Sequence, residues 1–135
     1  MPIVVDASIV LASILDDVQP ATSALAELGQ NEWIVPALWW FEIRNGLIVN
    51  ERRGRISEQL SAGFLHELSQ IATTVDVAPD SDQVMMLARK HRLAVCDAAY
   101  LELSMRAGLP LATLAAALIR AAQIEAVPLI SAGAS

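Results

Sequence analysis

A net charge of −6 over 135 residues, with a sequence pI near 4.7, leaves no excess of Lys and Arg to capture nucleic acid by displacing its counterions. The length fits a single domain, residues 1–135, large enough to bury a core. A lone cysteine, Cys96, excludes an internal disulfide and fits a reducing, cytoplasmic setting. The start MPIVVDASIV lacks the basic flank and long apolar core of a signal peptide, and no stretch reaches the roughly 18 apolar residues of a membrane span. Hydrophobic residues make up 55% of the chain but aromatics only 4%, and the dominance of Ala and Leu favours helices; so apolar a composition points to a dimer or a bound partner, or reflects alanine-rich helices alone.

In chain order, Pro2 to Val5 is a β-branched apolar run and reads as a buried strand ending at Asp6. Asp6-Ala7-Ser8 opens a helix to about Leu15, with Asp6 or Ser8 available as N-cap. A second helix spans about Pro20 to Leu28 and ends in the Gly29-Gln30-Asn31 turn. Trp33-Ile34-Val35 is the next buried strand, closed by Pro36. A long helix follows from Ala37 to about Gly54, with Leu38, Phe41, Ile48 and Val49 on its apolar face. Glu42 and Asn45 fall on that same side by their spacing of four, three and four with Leu38 and Val49.

Ser57 starts a helix to about Ser69, Thr74 to Val77 is a third strand, and Pro79-Asp80-Ser81 caps a helix to His91. Asp97 opens a further helix that stops at Gly108. Leu111 to Thr113 is a fourth strand, a helix runs from about Ala115 to Gln123, and Val127 to Ile130 is a fifth strand. Residues 131–135 read as a flexible tail. Short apolar strands separated by helices give a three-layer α/β/α domain around a parallel sheet of four to five strands.

Functional groups in such a sheet collect at the carboxyl ends of the strands. Asp6 stands at one end and Glu42 lies early in the helix after another. Asp97 begins the helix that leads into the strand ending at Thr113. If these elements meet, three acids share one cavity, and they repel each other unless a cation sits among them. Oxygen donors of this kind suit Mg²⁺ or Mn²⁺. His66 and His91 are read as solvated, with no neighbour at zinc-ligand spacing. Cys96 has no histidine base placed beside it for nucleophilic work. A receiver-type signalling domain would need a late lysine, whereas the only one is Lys90 in a helix.

Three stretches carry a family resemblance: VVDASIVLA at residues 4–12, VPALWWFEIRNGL at 35–47 and AVCDAAYLELSMRAGLPLATL at 94–114. In this order and spacing the chain resembles PIN-domain proteins, specifically the VapC-type toxins of bacterial toxin–antitoxin pairs. The resemblance implies an Mg²⁺- or Mn²⁺-dependent endoribonuclease, a homodimer, and a cognate VapB-type antitoxin that covers the site. It assigns the catalytic and metal-binding acids to Asp6, Glu42 and Asp97. It assigns supporting polar roles to Asn45, Ser8 and Thr113.

Arg52, Arg53 and Arg55 are candidates for contacts to RNA phosphates, and Trp33, Trp39 and Trp40 for lining the antitoxin groove. One departure stands out. The family pattern A-T-L-D, with a further acid two residues on, becomes Ala112-Thr113-Leu114-Ala115-Ala116-Ala117, with alanine at 115 and 117. A fourth acid is thereby lost. The alternative expectation is a weakened or silent domain that acts mainly by binding its antitoxin.

Overall fold

Ile3–Val5 form β1, whose three side chains are all buried, as an apolar run covered on both faces requires. The computed structural model describes residues 2–15 and 27–130. After β1 come α1 (Ala7–Leu15), β2 (Trp33–Pro36), α2 (Leu38–Arg52), α3 (Glu58–Ser69) and β3 (Thr73–Asp76). The chain then forms α4 (Ser81–His91), α5 (Val95–Ala107), β4 (Leu111–Ala112) and α6 (Ala116–Ile124). The helix expected over 20–28 lies outside the described residues except for Glu27 and Leu28, which are helical, and so does the tail at 131–135.

The sheet is parallel throughout, in the order β3-β2-β1-β4. Parallel crossovers are right-handed, which sends α1, α2 and α3 to one face and α4, α5 and α6 to the other. The three-layer α/β/α architecture expected from the sequence is present. The expected fifth strand is reduced to one parallel bridge, Leu111 to Leu129, held by Leu111 N donating to Pro128 O and Ile130 N to Leu111 O, both 2.9 Å. Pro128 has no N–H to extend the ladder.

The core runs through the sheet. Val4, Val5, Trp33, Val35, Leu111 and Ala112 are wholly buried, between Ile43 from one helical layer and Tyr100, Leu101 and Leu118 from the other. Each such aliphatic side chain contributes about 1.5–3 kcal/mol by leaving water. Ser57 and Asp80 cap α3 and α4 by accepting Leu60 N at 3.1 Å and Gln83 N at 3.2 Å. Gly108, at φ 67°, closes α5 in the left-handed conformation that glycine adopts without strain. Gly46 leaves room on α2 for the Leu11 side chain of α1, whose methyl groups a Cβ there would crowd.

Several expectations need correction. The buried face of α2 is Trp39, Ile43, Leu47 and Asn50, while Phe41 is 68% exposed and Ile48 42%. Apolar residues stand on every side of this helix, interspersed with Glu42, Arg44, Asn45 and Asn50, so periodicity alone cannot choose its inner face. Strand β3 begins one residue earlier than expected and leaves Val77 outside. Helix α5 starts at Val95, so Asp97 lies in its first turn and does not open it. Trp33 is fully buried, with its indole N–H donating to Leu28 O at 2.8 Å, so it cannot line a surface groove. His91 is not solvated either, since its side chain is 5% exposed and hydrogen-bonded to Glu125 at 2.6 Å, where Lys90 also pairs at 2.7 Å.

Glu102 on α5 is buried and accepts from Arg106 at 2.6 and 3.1 Å, and the same guanidinium reaches Asp76 at the end of β3 at 2.7 and 3.2 Å. Arg106 thus pins an edge strand to a helix while neutralising an interior charge. Arg106→Met strands Glu102 without its counter-charge and is expected to cost about 2–3 kcal/mol. Urea unfolding should show this as a lower midpoint at unchanged slope.

Candidate metal centre at the switch point of the sheet

The chain starts in the middle of the sheet, builds outward through β2 and β3, then returns to place β4 on the other side of β1. The reversal leaves a crevice beyond the carboxyl ends of β1 and β4, the usual ligand position in open parallel sheets. Val5 lies opposite Ala112, so the next residues, Asp6 and Thr113, emerge side by side. Both are buried, at 4% and 5% exposure.

Thr113 Oγ1 donates to Asp6 Oδ2 at 2.6 Å and Ser8 Oγ donates to the same oxygen at 2.7 Å. Each hydroxyl also accepts a backbone N–H, from Ala115 at 3.0 Å for Thr113 and from Leu114 at 3.1 Å for Ser8. Asp6 and Ser8, expected as alternative N-caps of α1, therefore bind each other and tie the turn after β4 to α1. Both hydroxyl bonds fall on Oδ2, which leaves the second carboxylate oxygen of Asp6 without a hydroxyl partner.

Glu42 reaches the crevice from the first turns of α2 and accepts a 2.6 Å hydrogen bond from the Tyr100 hydroxyl. Its pKa is raised, first by burial and then by the charges of Asp6 and Asp97, against the lowering effect of the Tyr100 bond. Asp97, three residues before Tyr100 on α5, is half-buried, and its pKa is raised by burial and by Asp6. Burial and the bond to Glu42 push the Tyr100 phenol well up, so it stays a proton donor. Its oxygen in turn accepts Ala7 N at 3.4 Å, which links α5, α2 and the start of α1.

Tyr100 is the residue that sequence reasoning missed. The signal was its place one turn after Asp97 on the same helix face. Cys96, beside Asp97 and exposed, has its thiol pKa raised by burial and by the charges of Glu42 and Asp97, which disfavours the thiolate.

Asp6, Glu42 and Asp97 thus feel one another's charge across a common space. Among the described residues, however, no three His, Cys, Asp or Glu side chains stand close enough to grip one ion directly. Three carboxylates are by their chemistry the hard oxygen donors that suit Mg²⁺ or Mn²⁺, ions that keep several waters. Zinc, which favours nitrogen and sulfur ligands, matches an all-carboxylate donor set less well. Asn45, one turn beyond Glu42, is exposed. Arg52, Arg53 and Arg55 are exposed around the far end of α2, roughly 15 Å along the axis from Glu42, so any phosphate they touch is not one lying among the acids. Ala115 is the N-cap residue of α6 and supplies no side-chain acceptor.

The structure defines a class, a three-layer α/β/α domain with a four-stranded parallel sheet and acids near its switch point. Residues 3–124 match the family model described as PIN domain, and the chain belongs to that family. PIN domains are typically nucleases that use a divalent metal. Among solved structures the fold is similar to PAE2754 from Pyrobaculum aerophilum, with a TM-score of 0.70 and 23% identity over 90% of this chain and 87% of that one. It is also similar to FitAcB from Neisseria gonorrhoeae, with a TM-score of 0.64 and 16% identity over 97% of each chain. At such identities the likeness is one of fold. Comparison with curated proteins gives no match.

The raised pKa values have a sign that can be measured. An acid whose folded pKa exceeds its unfolded value binds more protons when folded, so its unfavourable effect grows as pH rises from the ordinary values of 3.8 and 4.5 through the raised ones. At neutral pH in chelator, Asp97→Asn is therefore expected to raise Tm, with the gain disappearing below about pH 4. Mn²⁺ should raise the Tm of the parent chain and leave that of the variant nearly unchanged. Thermal melts at both pH values, with and without Mn²⁺, check this.

Proposed function

We propose that this chain is a metal-dependent endoribonuclease of the VapC toxin type, held in check by a cognate antitoxin and active on RNA phosphodiester bonds. What supports the reading is the placing of Asp6, fixed by Ser8 and Thr113, near Glu42, which is tied through Tyr100 to Ala7, with Asp97 one turn before Tyr100 on α5. A bound Mg²⁺ or Mn²⁺ would supply Lewis-acid stabilisation of the scissile phosphate and lower the pKa of the attacking water.

The chain's own residues provide the frame for that chemistry. With Oδ2 held by two hydroxyls, Asp6 would offer its other oxygen to the ion, and Asp97 would offer a second carboxylate. Glu42, oriented by Tyr100, orients water or completes the ligand set. A carboxylate surrounded by other carboxylates repels an RNA phosphate, so the ion must be present before substrate binds. Acidic net charge is compatible with an RNA substrate for the same reason. An exposed apolar surface, including Trp40 and Phe41, supports a homodimer, a bound antitoxin, or both.

Asp6→Asn and Asp97→Asn are each expected to abolish Mn²⁺-dependent cleavage of RNA while the circular dichroism spectrum stays that of the parent. Undiminished cleavage by either purified variant would overturn the proposal. Thr113→Val removes a hydrogen bond that orients Asp6 and is expected to lower activity by about 10–100-fold.

A second reading is favoured by Ala115, where a fourth acid and an N-cap side chain are both missing. In that case the domain is weakened or silent and acts by binding its antitoxin. Ala115→Asp and Ala115→Ser separate the two effects. Both should stabilise α6 by about 1 kcal/mol through capping. Only the aspartate can raise cleavage, and a gain from near zero would establish the silent reading.

A further inference from the structure

Among the described residues strand β3 is the edge of the sheet, paired only with β2. Trp33 N donates to Ala72 O at 2.8 Å and Trp33 lies opposite Thr73. The parallel pattern therefore turns the peptide groups of Ala72, Thr74 and Asp76 toward β2. The N–H and C=O of Thr73 and Val75 face outward. An uncovered row of this kind accepts another strand.

Beside that edge lies a cleft of about 260 Å³, lined by Thr73 and Val75 on the strand, Trp39, Trp40 and Arg44 on α2, and residues of α3 that include Leu65 and Leu68. Three features of the cleft ask for a partner. Trp40 is 47% exposed and Val75 43%, so a large apolar surface is open beside the strand. The indole N–H of Trp39 is buried and has no acceptor among the described residues. Arg44 stacks on Trp40, 3.7 Å from its ring centroid, and donates to Trp40 O at 3.2 Å, yet it meets no carboxylate among the described residues. A stacked guanidinium of this sort is a preorganised cation in a chain whose net charge is −6.

The geometry points to β3 and the Trp40–Arg44 cleft as a docking site for an extended acidic peptide segment of a protein partner, which adds a strand to the sheet edge. The partner's backbone pairs with the outward groups of Thr73 and Val75. Alternate side chains fall into the cleft, apolar ones against Trp40 and Leu68 and a carboxylate on Arg44. A second copy of this chain fits less well, because Asp76, the acid on its own edge strand, is already taken by Arg106. RNA would satisfy Arg44 but not the backbone groups of β3. The proposal rests on the partner-binding part of the reading above and not on nuclease activity, since the cleft lies apart from the Asp6 crevice.

The probe is the capped peptide acetyl-Val-Thr-Glu-Thr-Val-amide, titrated into the full ¹⁵N-labelled chain. Its lysine-for-glutamate analogue, its backbone N-methylated analogue and a short oligouridylate serve as controls. The acidic peptide is expected to shift the indole N–H signals of Trp39 and Trp40 and to slow amide exchange at Thr73 and Val75. The lysine analogue, and the acidic peptide with Arg44→Ala, should bind about tenfold more weakly. The N-methylated peptide should not bind.

Val75→Pro removes one outward N–H, which an edge strand tolerates, and should abolish binding while the far-ultraviolet spectrum is kept. No shift at millimolar acidic peptide would overturn the proposal, as would equal binding of the lysine analogue. Oligouridylate taking the same signals, or edge amides already protected by self-association in the free chain, would overturn it too. RNA cleavage measured in parallel separates failure of this docking site from failure of the nuclease reading.

Discussion

The carboxylate of Asp6 accepts two hydroxyls on one oxygen, and the site depends on that arrangement. Ser8 belongs to α1 and Thr113 to the turn after β4, so the bonds join segments more than a hundred residues apart in sequence at the point where the sheet reverses. The hydroxyls are themselves held by Leu114 and Ala115 amides, so the carboxylate's orientation is set by backbone as well as by side chains. A carboxylate aimed by fixed neighbours needs little rearrangement when a ligand arrives, which is the usual requirement for a working metal centre.

The acids pull the other way. Burial and mutual repulsion raise the pKa values of Glu42 and Asp97, so the ion-free crevice opposes folding at neutral pH. Stability is supplied elsewhere. The continuous apolar sheet, the Arg106 clamp between β3 and α5, and the Lys90–Glu125–His91 cluster joining α4 to the end of α6 all lie outside the crevice. Functional sites that cost stability and are offset by an ordinary core are a common pattern in small domains.

Much of this was legible in the sequence. β-Branched runs ending in Asp6 and Pro36, and Gly108 followed by Pro110, marked strands and helix stops whose physics is local. The acids could be anticipated because strand ends and helix starts have few places to go in a parallel sheet. What failed was rotational. Apolar and polar residues alternate around α2 without a clear stripe, so spacing does not tell which side is covered, and Phe41 faces out. The burial of His91 and Trp33 is not legible in the sequence, because their partners, Glu125 and the Leu28 carbonyl, are fixed by packing that spacing does not encode. Tyr100 escaped notice because a tyrosine inside an apolar helix looks like core until its hydroxyl is seen between Glu42 and Ala7.

The three tryptophans sit at graded depths: Trp33 enclosed in the sheet, Trp39 edge-on to it at 6.2 Å between ring centroids, and Trp40 at the surface under a guanidinium. Intrinsic fluorescence from this chain is therefore a composite of a shielded, blue-shifted emitter and a water-exposed one. Loss of the interior and coverage of the exterior move the two components separately, so the molecule carries its own label for telling unfolding from complex formation.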